Sequence, residues 1–172
     1  MRAEEVKDIV MKMAGLALGA LLLILLAACS SIDCPIQNTV YTVYKLRGAD
    51  GGEAKLADTL HVLGRTAKGD TVLLNRGVGL ASFNLPVSYS HEEDTLVFLR
   101  TDTVGRRAID TVWVQKKDIP HFESVDCSAA FFHELTGVRC THRGIDSIVI
   151  NNRNVNYDPT TEHFHIYFKT AL

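Results

Sequence analysis

The chain has 172 residues, with 18 Lys and Arg against 20 Asp and Glu and a formal net charge of −2. That balance, with no basic stripe, gives no electrostatic support for a nucleic-acid partner, and none is expected. The length suits one domain with a real core, preceded by a short leader.

Residues 14–28 form an unbroken apolar run after Lys12. A spanning helix needs about 20 such residues. This run is shorter and fits the hydrophobic region of a secretory signal. It closes on Leu26-Ala27-Ala28-Cys29, which resembles a bacterial lipobox. The resemblance implies cleavage before Cys29 and a diacylglycerol on its thiol, so that membrane lipid is a partner through Cys29. No cofactor beyond that covalent lipid is expected. The expected division is a signal peptide over 1–28, a lipidated N-terminus and tether over 29–37, and a β-sandwich domain over 38–172. Ahead of the run, Arg2, Lys7 and Lys12 are offset by Glu4, Glu5 and Asp8. Signals ordinarily begin with net positive charge, so Met11 or Met13 is the expected start of translation.

Once Cys29 carries lipid, Cys34, Cys127 and Cys140 remain, and an odd number predicts one bridge and one free thiol. Cys34 and Cys127 have similar settings, Ile32-Asp33-Cys34-Pro35 and Val125-Asp126-Cys127-Ser128. That favours Cys34–Cys127. A local Cys127–Cys140 bridge and three reduced thiols stay open. His142 lies two residues beyond Cys140, a spacing too common to mark a nucleophile.

Strands are predicted from β-branched and aromatic content bounded by turn residues. The first covers 40–46, closed by Gly48-Ala49-Asp50-Gly51-Gly52. Further strands cover 58–63 and 71–74. In 80–85 the alternation turns Phe83 inward, and Pro86 suggests an edge strand or a strand end. Residues 95–99 are nearly all apolar and read as a central strand. Residues 108–115 carry Trp113, with Val112 and Val114 on the opposite face. Pro120 interrupts before 121–125, and 129–139 reads as strand or short helix. Strands over 145–150 and 163–169 form a last hairpin around a polar loop, 151–162. Eight or nine short strands without a long helical period predict an all-β, antiparallel β-sandwich, for which an immunoglobulin-like arrangement is one candidate, with a lipocalin-like barrel as the alternative.

An Asp-Thr/Ser-aliphatic pattern recurs at Asp58-Thr59, Asp70-Thr71, Asp94-Thr95, Asp102-Thr103, Asp110-Thr111 and Asp146-Ser147. Local physics explains much of it: aspartate closes turns and threonine opens strands. The pattern also resembles the acceptor for general O-glycosylation in Bacteroidetes. Thr59, Thr71, Thr95, Thr103, Thr111 and Ser147 are therefore candidate acceptors, subject to exposure, since a sugar must lie at the surface.

Three stretches together resemble an uncharacterised lipoprotein family of Bacteroidetes, classed as a domain of unknown function. They are Cys29-Ser30-Ser31-Ile32-Asp33-Cys34-Pro35, residues 121–127 ending in Cys127, and residues 145–168. The resemblance agrees with the anchor and with a Cys34–Cys127 bridge, and implies no activity. Ser30-Ser31-Ile32-Asp33 lacks the acidic run that resembles surface-export signals in such bacteria. A periplasm-facing outer-membrane lipoprotein is therefore expected.

If 163–169 is a strand, His163 and His165 share a face with Tyr167, and two imidazoles at i and i+2 can bind zinc or copper when a third ligand approaches. His121, His133 or Glu162 are candidates for the third. An amphipathic strand with a wet face is the plainer explanation. Asn152, Asn154, Asn156 and Asp158 alternate like calcium ligands, but only one is charged and the EF-hand glycine is missing. Glu92-Glu93-Asp94 read as solvated. No nucleophile elbow, phosphate-binding glycine loop or His-Glu-x-x-His motif occurs. The expectation is a non-enzymatic, lipid-anchored module that binds another envelope protein. A metal-dependent protein using His163, His165 and His121 is the alternative.

Overall fold

The structure is a computed structural model that describes Lys7, residues 10–16, Cys34 and residues 39–172. The chain divides into two units, Met1–Cys34 and Pro35–Leu172. In the first, residues 10–16 are helical. Cys29 and most of the apolar run lie outside the described residues. No helix among the described residues is long and apolar enough to cross a membrane.

The second unit is an all-β sandwich. Its strands are β1 (Tyr41–Leu46), β2 (Thr59–Thr66), β3 (Gly69–Gly77), β4 (Ser82–Pro86), β5 (Glu93–Thr101), β6 (Arg107–His121), β7 (Ala130–Cys140), β8 (Ile145–Ile150), β9 (Asn154–Val155) and β10 (Phe164–Phe168). One sheet has the order β4-β1-β10-β8 and the other β3-β2-β5-β6-β7-β9. Two separate sheets exclude the closed barrel. The immunoglobulin arrangement sets four strands against three in its own order, which these sheets do not share. One pair departs from the antiparallel expectation: β1 and β10 run parallel, with Tyr44 opposite Phe164.

The core follows from period-two alternation. In β4, Phe83 and Leu85 are buried while Ser82 and Asn84 are exposed. Tyr44 stacks between Phe83 and Phe164, at centroid distances of 5.0 and 4.7 Å, with Phe98 tilted beside it at 6.1 Å. Strand β5 lies between β2 and β6, which explains its continuous apolar run. On β6 the inward residues are Ala108, Asp110, Val112, Val114 and Lys116. Trp113 takes the outer face, with the Arg139 guanidinium 4.0 Å from its ring centroid. Strands β2 and β3 join in a tight hairpin where Gly69 adopts φ +125°, a value that side-chain-bearing residues rarely reach.

One expectation needs correction, and one left open is resolved. The chain does not break at Pro120 and resume as a strand over 121–125. Strand β6 runs through Pro120 to His121, paired there with β7 alone, because β5 stops opposite Gln115. A residue without an N–H is tolerated where one neighbour has ended. Within 129–139, left open between strand and short helix, residues 130–139 lie in β7 and none is helical.

Candidate functional site

The C-terminal histidines are drawn apart. His163 lies just ahead of β10 and is fully buried. Its Nδ1 accepts the Val43 N–H at 3.0 Å, and its Nε2 donates to the Asn154 carbonyl at 3.2 Å. Its own N–H donates to the Val43 carbonyl. Both ring nitrogens are thus committed to backbone, joining β1 to the loop that carries β9. Burial pushes the imidazole below its ordinary pKa, which favours this neutral form. His165 instead sits 3.1 Å from Glu162 Oε2 and 3.3 Å from Arg47 Nη2. His121 stacks on Phe132 at 4.1 Å and bonds Glu123 at 2.9 Å. His163, His165 and His121 do not form the ligand set anticipated from their spacing. Among the described residues no group of three or more His, Cys, Asp and Glu is placed to hold a metal ion. The error arose at the strand boundary: His163 precedes β10 and turns into the protein, while His165 keeps the outer face.

The alternating asparagines form turns. Asn152 Oδ1 accepts from Asn154 N–H, Asn156 Oδ1 from Asp158 N–H, and Asp158 accepts from Thr160 and Thr161. Each short side chain caps the backbone two residues on. The bonds from Thr160 and Thr161 also hold the Asp158 carboxyl below its usual pKa range.

The Asp-Thr repeats serve separate structural ends. Asp102 closes its turn on the Val104 and Arg106 N–H groups. Asp70 pairs with Arg65 across the β2–β3 turn, and Asp94 accepts from Ser88. Asp110 is buried and accepts from Thr141 Oγ1 and from the Arg143, Gly144 and Ile145 N–H groups. Thr71 and Thr103 are exposed, while Thr59, Thr95, Thr111 and Ser147 are half-buried.

Two polar clusters lie at opposite ends of the sandwich. Near the start of β1, the buried Lys116 ammonium donates to Asp118 Oδ1 at 3.0 Å and to the His91 carbonyl. The same Asp118 oxygen lies 2.8 Å from His133 Nδ1. Burial drives the His133 pKa down, ahead of the opposing pull of Asp118. His133 also lines a hollow of about 250 Å³ with Ser88, Ser90 and the stacked pair Tyr89–Phe131. At the other end, beyond Leu46, a cleft of about 640 Å³ opens between the 47–58 loop and the end of β10. Its buried Arg100 donates from Nε to Asp58 Oδ2 at 2.5 Å, and from Nη1 to the Lys169 and Gly144 carbonyls.

The sequence alone assigned no role to Arg100 or Lys116, and marked Asp110 only as one of the turn-closing aspartates. The available signal was alternation itself: Leu96, Phe98, Arg100 on β5 and Val112, Val114, Lys116 on β6 place a charge where an apolar residue is due. Of the cysteines, Cys34 and Cys127 are disulfide-bonded and Cys140 is a free thiol, which removes the Cys127–Cys140 alternative.

Residues 59–168 match a family of unknown function (DUF6452). The chain belongs to this family. The DUF6452 match runs from β2 to the end of β10 and leaves β1 outside it, although β1 places Tyr44 at the centre of the aromatic core. No curated protein matches the chain, and no solved structure does. Membership in DUF6452 groups the domain without supplying an activity.

Proposed function

We propose that this DUF6452 protein is a lipid-anchored β-sandwich of the bacterial cell envelope, held to the outer membrane through Cys29 and facing the periplasm. It acts by binding another envelope protein and not by catalysis. The observation that carries this reading is the disulfide-bonded state of Cys34 and Cys127 beside a free Cys140. Disulfides persist in exported proteins. With Cys29 committed to lipid, Cys34 and Cys127 are left as each other's partners.

The lipobox-like Leu26-Ala27-Ala28-Cys29 and the likeness to Bacteroidetes lipoproteins support the same compartment. A bridge at Cys34 stands only five residues on from the lipidated Cys29, a reach of at most about 18 Å. Partners within or close to the bilayer are favoured by so short a tether. Thr71 and Thr103 present the acceptor pattern at the surface and are the proposed O-glycosylation sites.

The test is metabolic labelling with palmitate of the full-length protein and a Cys29→Ser variant, followed by membrane fractionation. The wild type should carry label and sediment with outer membranes, and the variant should lose both. An unlabelled wild type, or a variant that still carries label, overturns the anchor. Crosslinking in intact envelopes then identifies the partner.

A further inference from the structure

We infer that the cleft at the end of β1 is a binding site for a small organic anion, one bearing a carboxylate or a phosphate on an apolar or aromatic body. This goes beyond the anchoring proposal and does not depend on Cys29.

Two arginines on this cleft carry donors that no described residue accepts from. A guanidinium has five N–H donors in a fixed planar fork. Arg100 is only 5% exposed. Its Nε is committed to Asp58, and Nη1 to two carbonyls. Its Nη2 finds no acceptor among the described residues, and the side chain lines the cleft. Arg47, on the same cleft, spends Nη2 on Glu162 and His165. Its Nε is buried without a hydrogen-bond partner among the described residues. A buried donor left unpaired costs free energy and calls for an explanation. Arg100 Nη2 is not sealed from the cleft and so is free to meet an acceptor brought into it, and a shift of the Arg47 side chain would offer its Nε to the same acceptor.

Charge and shape agree. Arg47, Lys55, Arg100 and Lys169 line the cleft against two carboxylates, Asp58 and Asp146. Asp58 is already held by Arg100, and Lys55 has no ion pair among the described residues. Planar forks match the oxygens of carboxylate and phosphate. The cleft is also lined by Tyr167 and Phe168, and Arg100 lies 5.7 Å from the Phe168 ring centroid. That surface suits the body of an organic anion more than a bare ion. A volume of about 640 Å³ lies within the range of small-molecule sites.

The test uses full-length protein in detergent, with benzoate and inorganic phosphate as probes at constant ionic strength. Calorimetry on the wild type and on Arg47→Gln and Lys55→Gln variants is paired with NMR of the arginine Nε–Hε signals. The expected result is one-site, saturable binding, tighter for benzoate than for phosphate. The Arg47 and Arg100 signals should move with the same saturation curve. Each variant should bind about tenfold more weakly, the loss expected for one charge-assisted contact. If neither probe saturates, or the arginine signals stay still while heat is released, the site is overturned. Affinity unchanged in both variants overturns it as well. The NMR arm reads the wild type alone, so a variant that folds poorly does not remove the test.

Discussion

Asp110 is a single buried carboxylate that satisfies four donors, three of them backbone N–H groups of the turn leading into β8. Replacing Asp110 with Ala strands those donors, each costing on the order of 1–3 kcal/mol when buried. An Asp110→Ala variant should therefore lose about 3 kcal/mol or more in urea unfolding, and Asp110→Asn clearly less, because one oxygen remains. A loss below about 1 kcal/mol in the alanine variant would contradict this role. His163 and His133 give a second prediction. Burial lowers both pKa values below the ordinary 6.5, so the unfolded chain takes up protons first as pH falls. Their contribution is complete above pH 6.5, erodes as pH drops below that value, and stops changing once the folded-state pKa values are passed. Thermal melts should be level above pH 6.5 and fall towards pH 5, with a shallower fall in a His163→Gln, His133→Gln variant. An equal slope in wild type and variant would assign the acid sensitivity elsewhere. At this scale the sequence was legible where alternation held an apolar residue, as at Phe83. It was illegible at His163, where a shift of strand boundary reversed the side chain's surroundings.

Strand β6 shows what an element can encode. Its inward stripe opens with Ala108 and Asp110, passes through Val112 and Val114, and ends in Lys116. Charge thus stands near both ends of an apolar middle, and each charge is met by partners on neighbouring segments, Lys116 by the His91 carbonyl and Asp110 by the Gly144 N–H. Strand β5 is read by the same alternation, and Phe98 is 1% exposed while Ile109, opposite Leu99 on the neighbouring strand, is 51% exposed. Phe98→Ala should cost about 3–5 kcal/mol, and Ile109→Ala no more than about 0.5 kcal/mol. Similar losses in the two would mean that the faces are misassigned. The central position of residues 95–99 and the edge position of Pro86 were both legible, because burial on two faces and a missing N–H leave marks in composition. The two-residue β9 left no such mark. Its pairing with His133 and Glu134 is dictated by the fold around it and not by local propensity.

For the molecule as a whole, a Cys34–Cys127 bridge encloses a loop of roughly 90 residues, for which chain entropy implies about 4–5 kcal/mol. Reduction, or Cys127→Ser, should lower the urea midpoint strongly, and Cys140→Ser should leave it in place. A midpoint indifferent to reductant would refute the bridge. The sandwich class was legible from strand number and turn spacing, since those depend on local chemistry. The sheet orders were not, because they join residues far apart in sequence: Tyr44 lies beside Phe164 across the parallel β1–β10 pair. That pairing bears on the order in which the chain is completed. Threaded N-terminus first across a membrane, as the export proposal requires, β1 emerges early, yet it pairs with β10 only after residues 164–168 have passed. Non-local pairings of this kind form slowly. Until then the Tyr44 ring lacks one wall of its aromatic stack, and its small sheet is split between β4-β1 and a β8 still awaiting β10. A stalled or C-terminally clipped chain would display that gap, and a protease would have a direct means of distinguishing unfinished molecules from finished ones.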